Sequence, residues 1–247
     1  MPLMKTGGIV IKTVNTGESD KIITILSGEH GKLQASARAS RRPKSRLFAG
    51  TQFLCYSDFV LYKGRSLATI NSCEPTETFY EIRNDIVRLT YASYMVDLIL
   101  DSIQEEQPSE KILKLFLNTL HILAKTDKTP ELVCRIFELR FLAELGFAPA
   151  ADFCGVCGRD LEGEYSFSFK NECVLCSECT SCENGDSRIL PGTLKALRHI
   201  LYSKPDNLFR FELDPKVLNE LGKVCDRFLR EKLEKDYKKL QFLKTLE

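Results

Sequence analysis

Six of the ten cysteines fall between Cys154 and Cys182, and four of them make two CxxC pairs, Cys154/Cys157 and Cys176/Cys179, with 18 residues between. No other feature limits the fold as tightly. A CxxC turn aims two sulfurs at one centre, and two turns supply four thiolates for a tetrahedral ion at about 2.3 Å per bond. Gly155 and Gly158 suit the tight turn around such an ion. The stretch EYSFSF (164–169) alternates like a strand and can form a small hairpin between the pairs.

Spacing leaves the ligand set open, because Cys173 and Cys182 extend the second pair into C-VL-C-SE-C-TS-C. That run has the rhythm of an iron–sulfur ladder, but its fourth spacing differs, no proline follows, and Cys154/Cys157 would go unused. A redox or disulfide role is the other alternative. Zinc is the expected ion, in a closed structural site, since four cysteines leave no position for water. Clustering in a chain of 247 residues also argues for a reducing compartment rather than a secreted disulfide scaffold. Cys55, Cys73, Cys134 and Cys225 stand alone in apolar or mixed surroundings and read as small buried hydrophobes.

The chain changes character after Pro75. Before it, GIVIKTV, KIITILS, KLQASAR, TQFLCYSDFVLYK and LATINSC are rich in β-branched and aromatic residues and separated by turn signals. Five short strands without an intervening helix point to a small closed barrel of the OB type, with an SH3-like barrel as the alternative. After it the apolar spacing becomes helical: a helix over 79–103, a second opened by Ser109 as N-cap, a third from Pro130 to a stop at Gly146, and two more at 191–203 and 214–243. The expected fold is therefore α+β. An OB-fold barrel at 1–78 precedes a helical domain at 79–247, with the metal module inserted at 150–187.

Charge divides along the same line. Residues 1–78 hold 11 Lys/Arg and 6 Asp/Glu, giving +5, and the rest of the chain is −4. No acid occurs between Glu29 and Asp58, and Arg38, Arg41, Arg42, Lys44 and Arg46 fall in that gap. A charge run is commonly a solvated face. Here it occupies the connection between the third and fourth strands, which Pro43 is expected to keep extended. Arginine forks and the hydroxyls of Ser40 and Ser45 suit phosphate oxygens, and nothing there codes for base readout. Tyr56 and Tyr62 share a face of the fourth strand, where stacking on bases competes with barrel packing. Residues 152–187 hold eight acids against Arg159 and Lys170, so the metal module repels phosphate and reads as a fold staple or protein contact.

Signals of catalysis are missing. Gly31-Lys32 lacks the rest of a Walker A motif, and His30, His121 and His199 are not near other catalytic candidates in sequence. No apolar run approaches the ~18 residues of a membrane span, and the first residues lack a signal-peptide core. A non-enzymatic, cytoplasmic nucleic-acid-binding protein is the expectation.

GESDKI (17–22), GK (31–32) and RASRRPKSRLFAG (38–50), followed by LGFAPAADFCGVCG (145–158) and VLCSEC (174–179), resemble the RecO family of bacterial recombination mediators in order and spacing over nearly the whole chain. The resemblance implies an N-terminal OB-fold, a helical domain and one structural zinc held by Cys154, Cys157, Cys176 and Cys179, with Cys173 and Cys182 as extras. It implies binding of single- and double-stranded DNA through Lys32, Arg38, Arg41, Arg42, Lys44 and Arg46. It further implies annealing of complementary strands and, with RecR, help for RecA in displacing single-stranded DNA-binding protein, near the nucleoid. Ala39 stands where glycine is common in that family, and Gln52 where proline is usual. An RNA-directed or regulatory zinc-stabilised barrel protein is the rival reading, and an enzyme whose site assembles from unremarkable residues is another.

Overall fold

The computed structural model describes residues 3–64, 67–180 and 185–245. The chain divides into two compact units, Met1–Lys125 and Thr126–Glu247.

In the first unit β1 (Leu3–Thr16), β2 (Asp20–Ser27), β3 (Gly31–Ala37), β4 (Tyr56–Tyr62) and β5 (Ala68–Glu77) close into a barrel in the order β1-β2-β3-β5-β4. The closing contact is parallel and short, Ala35 opposite Ala68 and Ser36 opposite Thr69. This order, with a parallel β3–β5 seam, is that of the OB-fold and sets aside the SH3-like alternative. Alternation fills the interior with Val10, Ile23, Ile25, Ala35, Ala37, Phe59, Leu61 and Ile70.

Strand β1 begins five residues before the expected GIVIKTV and serves two neighbours. Residues 3–9 pair with β4 and residues 8–16 with β2, with a register shift between Val10 and Lys12. Gly8 and Ile9 occupy the overlap. A Cβ on Gly8 would lie 2.4 Å from Ile25 Cγ2, so the bend brings backbone against side chain where only glycine fits. By contrast β4 starts five residues later than TQFLCYSDFVLYK suggests, because residues 51–54 form turns.

The helical stretch after β5 is two helices, not one. α1 (Tyr80–Arg83) ends at Asn84, and α2 (Ile86–Ser102) restarts with Asp85 as N-cap, its carboxylate accepting from the Val87 and Arg88 N–H groups. Ile86, expected in the apolar stripe, is 56% exposed; Ala92, Met95, Val96 and Ile99 form the buried row instead. α3 (Glu110–Lys125) follows. Ser109 precedes it as expected and its carbonyl accepts from Leu113, but its hydroxyl donates to the Ser27 carbonyl at 3.1 Å. That bond, with Ser109 N–H on Gly28 O, ties the helices to the β2–β3 hairpin. Arg88 donates to the carbonyls of Leu123 and Ala124, supplying the last turn of α3 with donors it lacks.

In the second unit α4 (Pro130–Glu144) ends in a Schellman turn. Gly146 has φ 94°, its N–H donates to Ala143 O, and Phe147 N–H donates to Leu142 O. A three-stranded sheet of β6 (Tyr165–Ser168), β7 (Cys173–Cys176) and β8 (Ser187–Ile189) follows, with β6 central and antiparallel to both neighbours. EYSFSF thus forms the expected hairpin. α5 (Pro191–Tyr202) and α6 (Pro215–Leu233) complete the unit. The expected helix over 214–243 stops at Leu233, where Glu234 turns left-handed (φ 50°), and a 3-10 segment covers Lys239–Thr245. After Leu233 the sequence EKDYKK offers no apolar row to hold a helix against the unit.

Arg135 (α4) and Glu138 (α4) are buried together between α4 and α6. One guanidinium nitrogen of Arg135 donates to both Glu138 oxygens (2.9 and 3.1 Å) and to Asp226 Oδ1 at 2.6 Å. Burial alone would push the Arg135 pKa down; the facing Glu138 carboxylate outweighs it and holds the group charged. Cys134 and Cys225 are fully buried beside this group, and desolvation pushes both thiols well up, consistent with inert packing. Cys55 is also fully buried, and Cys73 is half-buried against the barrel core. Among the described residues no helix is long and apolar enough to cross a membrane.

Candidate nucleic-acid interface and metal centre

The basic segment connects β3 to β4, as expected, but it is not extended. Residues 38–54 run as successive turns closed by Arg42 N–H on Ala39 O, Ser45 N–H on Arg42 O, Phe48 N–H on Ser45 O and Gln52 N–H on Ala49 O. Pro43 sits at a turn position, which its fixed φ favours as readily as an extended one. The turns plug one end of the barrel. Leu54 is fully buried, Leu47 packs on the barrel core, and Leu54 N–H and Cys55 O bond to Val10.

This inward anchoring leaves Arg38, Arg41, Arg42, Lys44 and Arg46 exposed. The two serines do not join them. Ser40 is fully buried, and Ser45 Oγ accepts from Leu47 N–H at 3.2 Å. The β1–β2 turn fixes the start of the segment. Asp20 Oδ1 accepts from Ala39 N–H at 2.7 Å, Ser19 O accepts from Arg41 N–H at 2.9 Å, and Arg41 Nη1 donates to Glu18 O at 3.1 Å. GESDKI and RASRRPK, far apart in sequence, are therefore one structural unit. Lys21 was not singled out by sequence. It is buried beside Arg41, and burial and then the Arg41 charge lower its pKa. Its place at the head of the strand run KIITILS, away from the basic segment in sequence, hid it.

Lys32 is not brought to this cluster. It lies at the other end of β3, where its ammonium donates to the Leu100 carbonyl. Tyr56 and Tyr62 share the outer face of β4. Tyr56 covers Gly7, while Tyr62 is 38% exposed. His30 lies beside Glu29, and His199 Nε2 is 3.0 Å from Asn207 O with its ring against Phe211.

Ala39 has φ 52°, in the region where a Cβ costs about 1–2 kcal/mol. Ala39→Gly should therefore raise stability by about 0.5–1 kcal/mol after the entropy of glycine is counted. Urea unfolding of the two proteins checks this; a destabilised glycine variant would contradict it.

The candidate metal centre lies in the second unit. The Sγ atoms of Cys154, Cys157, Cys176 and Cys179 all lie within 4.8 Å of one another. Cys157 and Cys176 are 3.8 Å apart, close to the edge of about 3.8 Å that a tetrahedron of 2.3 Å metal–sulfur bonds requires. The group could hold a metal ion, and it excludes Cys173. That thiol is buried on β7 against Gly155, where an added Cβ would lie 2.4 Å from Cys173 Sγ. Glycine at 155 thus makes room for the extra cysteine. Cys182 lies outside the described residues.

Local backbone prepares the thiolates. Gly158 (φ 72°) donates its N–H to Cys154 O at 2.8 Å, closing the first knuckle, and Cys176 N–H points at Cys154 Sγ at 3.4 Å. Burial opposes ionisation of Cys154, but backbone N–H groups of Cys157, Cys176 and Val156 outweigh it and bring the thiol to about 6. Cys179 is pushed up to about 12, first by its hydrogen bond with Cys157. Four sulfurs this close cannot all ionise without a cation among them. Arg159 donates to Cys157 Sγ at 3.4 Å and pairs with Glu178, bracing the two knuckles.

The family model for the recombination protein O N terminus matches residues 1–79, and that for its C terminus matches residues 83–241. The DNA repair protein RecO of Acetivibrio thermocellus is 51% identical over 247 residues, covering 100% of this chain and 98% of the relative. The proteins of that name from Caldicellulosiruptor saccharolyticus and Alkaliphilus metalliredigens are 37% and 33% identical, covering 100% and 99% of this chain and all of each relative.

Proposed function

The chain belongs to the RecO family of DNA repair proteins, and from that premise we propose that it is a non-enzymatic recombination mediator that grips DNA backbone and anneals complementary strands. The observation that carries this reading is the turn cluster, which packs Leu47 on the barrel core, buries Leu54 and presents five cations outward with no acid among them. Phosphates of single- or double-stranded DNA neutralise these cations, and strand–strand repulsion falls as they do. No bond is made or broken. With RecR, the protein helps RecA take over single strands coated by single-stranded DNA-binding protein in the bacterial cytoplasm. The four-cysteine centre holds one zinc ion, supported by an all-thiolate tetrahedral donor set, and its role is to staple its module.

Annealing of complementary DNA oligonucleotides by wild type and by Arg41→Ala/Arg42→Ala/Lys44→Ala tests the reading. The variant should lose most annealing while its thermal unfolding is unchanged, because all three side chains are exposed. If about five phosphates on a single strand are engaged, log K for wild type should fall with log salt at a slope near −3.5. Equal annealing by both proteins would refute the basic-segment mechanism, and tighter binding of RNA at equal salt would favour an RNA-directed protein.

A further inference from the structure

Annealing needs two strands held at once, and the turn cluster offers one cationic surface. The second unit carries another. Between α6 and the β6–β8 sheet lies a cavity of about 770 Å³. Phe169, Val224 and Pro215 contribute its apolar part, and Arg188, Lys216, Lys223 and Arg227 are cations on its wall. Lys216, Lys223 and Arg227 stand at i, i+7 and i+11 on α6, within about 20° of one line along the helix.

The cations are differently engaged. Arg227 is built into the wall. Its guanidinium stacks 3.9 Å over the Phe169 ring, Nη1 donates to Gly185 O at 2.8 Å, and Nε pairs with Glu231 at 2.8 Å. Arg188 is highly exposed and only 3.9 Å from Glu164. Among the described residues neither Lys216 nor Lys223 has an acidic partner. Among the described residues the one acid lining the cavity is Glu220, and it is turned away to the Leu190 N–H and the Thr193 hydroxyl. A helix carrying a solvated charge face would pair these lysines within itself, as Arg227 and Glu231 do at i, i+4.

We propose that this groove is a second single-strand site, holding the backbone of the other strand during annealing with Arg188, Lys216 and Lys223 as its phosphate contacts. The proposal rests on the annealing reading above. Cations spaced along one wall of a groove suit the backbone of a polyanion. The sheet of the metal module forms one wall of this groove through Phe169 and Ser187, and the cations come from Arg188 and from α6 on the other side.

The test counts strands. The full-length protein is titrated with a fluorescent ten-nucleotide single strand too short to span two sites, and bound oligonucleotides per chain are measured at low salt. Wild type should bind two. Arg188→Ala/Lys216→Ala/Lys223→Ala should bind one, with annealing lost and a salt slope for the remaining complex unchanged. The turn-cluster variant should also bind one, and the combined variant none. The three groove side chains point to solvent, so circular dichroism and unfolding should match wild type. Two strands bound by the groove variant would overturn the proposal, as would one strand bound by wild type and abolished by the turn-cluster variant alone; in both results the annealing reading survives. A wild type that binds no oligonucleotide would instead defeat that reading. Protection of Lys216 and Lys223 from acylation by a synthetic acidic peptide, with none by the oligonucleotide, would give the groove to a protein partner and also overturn the proposal.

Discussion

Cys154→Ser should empty the metal centre and melt the three-stranded sheet around it, while the barrel keeps its structure. Cys154 is the least exposed of the four cysteines, at 2%, and its sulfur receives the backbone N–H of Cys176. Losing it leaves three thiols that repel one another once ionised, and nothing else in the short β6 and β7 strands replaces the ion. Structural zinc contributes apparent binding free energies of about 10–16 kcal/mol in small zinc-dependent folds, well above the cost of most single substitutions. Elemental analysis should fall from one zinc per chain to none, and hydrogen exchange should accelerate at Phe167 and Val174 but not at Ile23 or Phe59. Replacing Cys173 and Cys182 together should leave one zinc bound. Zinc retained by Cys154→Ser, or lost from the double variant, would show that the ligand set is a different four.

The buried ion group between α4 and α6 predicts the other large effect. Arg135→Ala leaves Glu138, which has no exposed surface, without its bidentate partner. Breaking a buried pair from one side costs about 3–5 kcal/mol. Asp226→Asn touches the same guanidinium, but Asp226 is about half exposed, so its effect should stay near the 0–1 kcal/mol of surface pairs. The double change Arg135→Met/Glu138→Leu should recover most of the loss, since two apolar chains of similar volume need no partner. Urea unfolding of the four proteins gives the ranking. A double variant as unstable as Arg135→Ala would mean that packing, not uncompensated charge, sets the cost.

Much of this was readable from residue pattern, and the failures share a cause. β-branched runs between turn signals located five strands, and CxxC spacing located the cysteine cluster that could hold a metal ion, because both depend on local chemistry. The break at Asn84 was visible only as a capping aspartate inside an apolar stretch. The end of α6 at Leu233 was hidden by continuing helix-forming residues, although the apolar row that would hold a longer helix stops there. The basic segment was located but misdrawn as extended. Its coiling depends on Leu47 and Leu54 finding the barrel end, a contact between residues distant in sequence. Lys32 had the right charge and the right neighbourhood in sequence, but a strand of seven residues carries its two ends apart.

Strand β1 belongs to two neighbours at once, and this sets a timetable for a chain made from one end. Its pairing with β2 closes within a single turn, whereas Leu3 waits for Tyr62 and Ile9 for Tyr56. At 5–20 residues per second of synthesis, those partners emerge roughly 2–12 s after β1 itself. During that interval the Gly7–Gly8 half of β1 is an unpaired edge, and the cationic turns have no barrel end to plug. The turns that carry the exposed cations and the strand that seals the barrel therefore mature in one event, so a chain arrested before β4 has neither.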